Sequence, residues 1–169
     1  PVTGIHDAVL SVDGRVLYSF GETGLRAHVL ADLLDGNDRP LWQIDGARFE
    51  GLVLNGGQLL TREVDPERSL VSFDVRTGQE VARAVVIEPY GGLAAGPDGG
   101  WAATVTGEKA ALIRYDAALE VTGEVAIPYA YELTYDSARQ QYLVAGYRPG
   151  HDDGSLPVIL SLSAGDLKE

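Results

Sequence analysis

The chain has 169 residues, 45% of them hydrophobic and 22% charged, with no cysteine and a formal net charge of −12. That is enough apolar material for a single folded domain with a core and too much for a disordered chain, while the lack of cysteine excludes disulfides, thiol catalysis and thiolate-held metals. With 25 acidic residues against 13 basic ones, the surface repels phosphate backbones and anionic headgroups, so neither nucleic acid nor a membrane surface is an expected partner. No apolar run approaches the length of a transmembrane helix.

Val, Leu, Tyr and Thr are spread between 21 Gly and 8 Pro, the composition of many short strands joined by turns, and the expected class is all-β. In chain order the first group of strands is His6–Val12, Arg15–Phe20, Leu25–Asp32 and Pro40–Ile44, with a tight turn at Asp13-Gly14. The second is Glu50–Leu54, Gln58–Val64, Leu70–Asp74 and Glu80–Ile87; its first hairpin turns at Asn55-Gly56-Gly57, where Asn-Gly is expected to supply positive φ angles. The third is Leu93–Ala95, Trp101–Thr106, Ala111–Asp116 and Val121–Ile127, turning at Pro97-Asp98-Gly99. The fourth has Leu133–Tyr135, Gln141–Tyr147 and Val158–Leu162, a turn near Ser137-Ala138-Arg139, and only a stub, Leu167–Glu169, for an outer strand. Leu25–Leu34 taken alone also fits an amphipathic helix, with Leu30, Leu33 and Leu34 on one stripe. The repeat favours a strand closing at Asp32, because Asp32, Asp74 and Asp116 stand 42 residues apart and a repeat holds one structure per slot.

A period of about 42 residues lies in the band of four-stranded propeller blades. The stretches SVDGRVLYSF, VSFDVRTGQEVARAVV and GPDGGWAATV resemble the inner hairpins and outer-strand turns of the β-propeller repeat superfamily, in its WD-like, YVTN-like and quinoprotein-like forms. The resemblance covers nearly the whole chain and implies one propeller segment with blades near residues 6–46, 47–88, 89–128 and 129–169, the last incomplete. It departs from the WD pattern at the tryptophans: Trp42 falls in a fourth strand and Trp101 in a second. An unclosed propeller leaves unpaired edge strands, so the ring is expected to need a second copy or another protein chain. Pro1–Ile5, short and carrying Gly4, is the candidate latch within the chain.

Candidate chemistry concentrates where the copies differ. Seven residues before each inner-turn position lie Asp7, Glu50, Gly92 and Glu132, preceded by His6, Phe49, Gly91 and Tyr131. Asp7, Glu50 and Glu132, with His6, Arg48, Phe49, Tyr90, Tyr129 and Tyr131 around them, form a candidate ligand set at the channel mouth. Converging carboxylates repel one another unless a hard cation such as calcium sits between them; the alternative is that each residue serves its own blade. Glu50-Gly51-Leu52 and Glu132-Leu133-Thr134-Tyr135-Asp136 look similar to inner strands of calcium-dependent phytase-like and lactonase-like propellers, although Asp7 is followed by Ala8 where those families have glycine. His151-Asp152-Asp153 is a second metal candidate, set in a Gly-rich loop whose composition also suits an ordinary turn.

No Gly-x-Ser-x-Gly elbow, nucleotide-binding glycine motif or paired-histidine helix is present, and His28 is expected to be a packing residue. The leading expectation is a non-catalytic propeller segment for protein interaction or assembly. The alternatives are part of an extracytoplasmic propeller enzyme, a calcium-dependent hydrolase or a quinoprotein-like dehydrogenase, and a lectin-like module. An extracytoplasmic location follows only from the enzyme resemblance.

Overall fold

A computed structural model of the chain describes residues 4–22, 24–65, 68–86, 90–107, 110–127, 130–148 and 156–164. Among these residues, fifteen strands form four antiparallel sheets, each joined in sequence order. The first holds β1 (Ile5–Leu10), β2 (Val16–Gly21), β3 (Gly24–Val29) and β4 (Trp42–Ile44). The second holds β5 (Arg48–Asn55), β6 (Gln58–Asp65), β7 (Ser69–Asp74) and β8 (Glu80–Val85). The third is β9 (Tyr90–Ala95), β10 (Trp101–Val105), β11 (Ala111–Tyr115) and β12 (Val121–Ala126). The fourth has three strands among the described residues, β13 (Ala130–Asp136), β14 (Gln141–Arg148) and β15 (Leu156–Ser163). Four-stranded meanders repeating at this period are propeller blades; the outer strand expected near Leu167–Glu169 lies outside the described residues. Two compact units divide the chain, Pro1–Val85 and Val86–Glu169, each with two blades.

Alternation of apolar residues explains each unit's core. In the first unit Tyr18, Phe20, Leu25 and Ala27 of the first sheet meet Phe49, Leu52, Leu59, Val71 and Phe73 of the second, all buried. Trp42 in β4 ties the pair together: its indole Nε1 donates to the Val75 carbonyl at 2.9 Å and its ring lies 6.0 Å from that of Tyr18. Gly78 is required beneath it, since a Cβ there would stand 2.7 Å from the indole. In the second unit Ala94, Ala102 and Leu112 pack on Leu133, Tyr142 and Val144.

Register follows the hairpins. Paired on their second strands, Leu52 opposite Thr61, Leu93 opposite Ala103 and Leu133 opposite Val144 hold one slot. In the first blade that slot, opposite Ser19, belongs to Ala8 and not to Val9. On the neighbouring slot, Asp7 opposite Phe20, Glu50 opposite Arg62 and Glu132 opposite Ala145 are equivalent. Each inner strand carries a bulge beside this slot, between Ile5 and Asp7, Glu50 and Leu52, Ala130 and Glu132, and in the pairing of β9 with β10. A bulge re-aims the side chain next to it; it precedes the slot residue in β1 and β13 and follows it in β5.

Three local expectations are corrected. The strand expected over Leu25–Asp32 ends at Val29, and Leu30–Leu34 form one helical turn, α1, closed by the Asp35 amide on the Ala31 carbonyl at 3.0 Å. Asp32 therefore closes no strand. The repeat fixes where the third strand pairs but not the connection after it, which in the first blade runs from residue 30 to 41 and in the second only from 75 to 79, leaving room for helix-forming Leu and Ala to make a turn of their own. At the second hairpin Asn55 pairs with Gln58, and the turn is Gly56-Gly57 with the positive φ, 58°, at Gly56. Ile5 pairs with Gly21 at the start of β1 and is part of the first blade; Pro1–Thr3 of the candidate latch lie outside the described residues.

Candidate functional site: the inner-strand carboxylate slot

The bulge before Asp7 turns its exposed carboxylate toward the second blade. One oxygen, Oδ1, accepts the Ala8 amide at 2.8 Å; the other, Oδ2, accepts the Leu52 amide of β5 at 3.1 Å. Leu52 lies directly after the β5 bulge, where the ladder with β6 is interrupted, so Asp7 supplies an acceptor that the hairpin does not. Asp7 thus joins two blades.

The second unit builds the same joint without a carboxylate. A Cβ placed on Gly92 would stand 2.4 Å from the Leu133 amide nitrogen, and one on Gly91 would stand 2.7 Å from the Tyr131 carbonyl. Leu133 is the counterpart of Leu52, so where the first pair of blades is bridged by an aspartate, the second pair closes backbone to backbone. Only glycine permits that approach. The Gly92 amide donates to the Thr104 hydroxyl at 2.7 Å, and the fully buried Thr61 hydroxyl meets the Glu50 carbonyl at 3.4 Å. These second-strand threonines hold the bulged strand, a role that adjacency in sequence does not signal.

The remaining candidates divide. His6 rests edge-on against Phe20, ring centroids 6.1 Å apart, and buried Phe49 meets Phe73 in the same way at 6.1 Å. Arg48 and Glu50 form an exposed ion pair at 3.4 Å, and the Glu50 carbonyl also accepts Arg62 Nε at 3.4 Å. Glu132 and Tyr131 are exposed. Tyr90 opens β9 opposite Val105. Tyr129, His151, Asp152 and Asp153 lie outside the described residues. Among the described residues no three His, Asp or Glu side chains are placed to hold one metal ion.

Other aspartates are committed to turns. Asp74 Oδ1 accepts the amides of Arg76 and Thr77 and the Thr77 hydroxyl, and the Thr77 bonds above all hold its carboxyl below the usual range. Ser11 does the same for Asp13, and Arg139 for Asp136. Asp116 Oδ1 accepts the amides of Ala118 and Glu120. At the opposite end of β1 from Asp7, a shallow apolar cavity of about 330 Å³ is lined by Val12, Asp13, Tyr18, Leu54 and Val75 among others. Its one carboxylate, Asp13, is already engaged by the Ser11 hydroxyl at 2.7 Å and the Arg15 amide at 3.1 Å.

No protein-family model matches the chain, and no curated protein matches it. Solved structures do. The chain is similar to hydrazine synthase of Kuenenia stuttgartiensis, at 12% identity and a TM-score of 0.73 over 99% of this chain and 51% of that one. It is similar to the β-propeller domain of Cps50 (Swd1) of Myceliophteria thermophila, at 12% identity and a TM-score of 0.68, covering 92% and 52%. A eukaryotic initiation factor aligns at 16% identity and a TM-score of 0.61, covering 99% and 43%. At these identities the likeness shows a propeller fold alone. The chain spans about half the length of these structures.

Proposed function

We propose that the chain is a non-catalytic β-propeller segment used for protein interaction or assembly, completed by further polypeptide. The observation that carries this reading is the Asp7 carboxylate: both of its oxygens accept backbone amides, one of them from the neighbouring blade. A residue positioned as a cation ligand in the sequence is occupied as a joint, and its counterpart in the third blade is a glycine for the same purpose. Likeness to propeller chains about twice as long agrees with a segment of a larger assembly.

Thermal melts of the parent and of a Glu50→Gln, Glu132→Gln double variant, each with calcium and with chelator, test this against an axial cation site. A bound ion at a hundredfold above its dissociation constant adds about 2.7 kcal/mol by mass action. The proposal expects superimposable curves with and without calcium. A calcium-dependent rise in the parent that the double variant abolishes overturns it in favour of a cation-centred site.

A further inference from the structure

The third strand of each blade has one residue at the same register position, identified by its second-strand partner: Leu25 opposite Phe20, Leu70 opposite Arg62, Leu112 opposite Thr104 and Ile159 opposite Ala145. Within each unit, Leu25 and Leu112 pack on the blade that follows their own. Leu25, Leu70 and Leu112 are 0% exposed, whereas Ile159 is 76% exposed. Thr134 and Ser161 are exposed on the same face of the fourth blade, and Leu143 and Ala145 are half-buried. The other face of that blade is covered, with Tyr142 at 0% and Val144 at 1%.

Resting on the assembly reading above, we propose that this face, Glu132, Thr134, Leu143, Ala145, Ile159 and Ser161, is a docking surface for one further propeller-type blade. The repeat itself names the occupant. In the first unit the corresponding face is covered by an antiparallel sheet presenting Leu52, Leu59, Val71 and Phe73, and its slot carboxylate, Asp7, accepts an amide of that sheet's inner strand. Glu132 holds the same slot in the fourth blade. Its carboxylate is therefore the anchor for a backbone N–H of the docked inner strand, and Ile159 is the apolar contact beside it.

The outer edge of β15 points the same way. The Ala164 amide donates to the Gln140 carbonyl at 3.0 Å. By antiparallel alternation the amides of Leu162, Leu160 and Val158 face β14, while Ile159 and Ser161 turn theirs outward. Pro157 stands at an outward position, where its missing N–H costs the ladder nothing.

The test uses the chain's own lack of cysteine. Ile159→Cys places a single thiol on the face, and the probe is a copy of residues 47–88 fused after residue 169, which supplies a blade of known sequence. In the unextended chain, monomeric by light scattering, the thiol reacts at a free rate. In the extended chain labelling is expected to slow by more than about tenfold, as for a site open less than a tenth of the time. Glu132→Ala is expected to lower the melting temperature of the extended chain and leave that of the unextended chain in place. Labelling at the same rate in both, an added blade that stays unfolded, or an Ala variant that acts equally on both chains overturns the proposal. A dimer of the unextended chain in which the introduced thiol is protected overturns the choice of occupant in favour of a second copy. None of these results alters the calcium melts, so the two proposals fail separately.

Discussion

Truncating Leu112 and truncating Ile159 removes comparable aliphatic material from equivalent positions of the third and fourth blades, and the two changes are expected to differ severalfold in cost. Leu112 is 0% exposed and packs among Ala102, Leu133 and Tyr142. Its replacement by alanine loses the full transfer free energy and leaves a cavity, about 2–5 kcal/mol. Ile159 is 76% exposed, so about a quarter of its surface is out of water and no cavity follows; on area alone its truncation costs under about 1 kcal/mol. Each unit holds one tryptophan, Trp42 in the first and Trp101, 1% exposed, in the second. A Trp42→Phe background therefore reports the second unit by fluorescence in urea. With slopes of roughly 1–3 kcal/mol per molar urea, Leu112→Ala should move the midpoint down by about 1 M or more and Ile159→Ala by a small fraction of that. Equal shifts, or a larger one for Ile159, would refute the blade register and the uncovered face together.

Asp7→Ala removes the acceptor of the Leu52 amide and should cost about 1–2 kcal/mol, with Asp7→Asn, which keeps one acceptor oxygen, costing less than half as much in a thermal melt. Gln140 is exposed with φ 54° in the β13–β14 turn; Gln140→Gly should raise stability by up to about 1 kcal/mol, since only glycine adopts that conformation freely. The carboxyls of Asp13, Asp74, Glu80 and Asp136 are all held below their ordinary values. A depressed folded pKa contributes stability that is present above the unfolded value and lost as pH falls through the folded one, so melting should weaken below about pH 4. Asp74→Asn should shallow that acid limb without changing its sign.

The strands and their order were legible because alternation and turn glycines are local signals: the fifteen strands expected within the described residues are present within a few residues of their expected ends, and the stub Leu167–Glu169 lies outside those residues. The carboxylate slot was legible as a repeat, since Asp7, Glu50, Gly92 and Glu132 share a register, but its use was not. The partner of Asp7 is an amide 45 residues away, in a bulge that no composition announces. α1 was misread because the repeat constrains paired strands and leaves the connection between β3 and β4 free to vary in length. Ile159, 76% exposed, carries no sign of its exposure, because the sequence marks it as one more strand residue like Leu70 and Leu112.

The joint between Asp7 and Leu52 is the point on which the account rests, and amide hydrogen exchange at Leu52 reads it directly. If the carboxylate joins two blades, the Leu52 amide is protected in the parent, indifferent to calcium, and exposed to exchange in Asp7→Ala while the ladder amides of Val53 and Asn55, which face β6, stay protected. A Leu52 amide that exchanges freely in the parent, or whose protection changes when calcium is added, would contradict it.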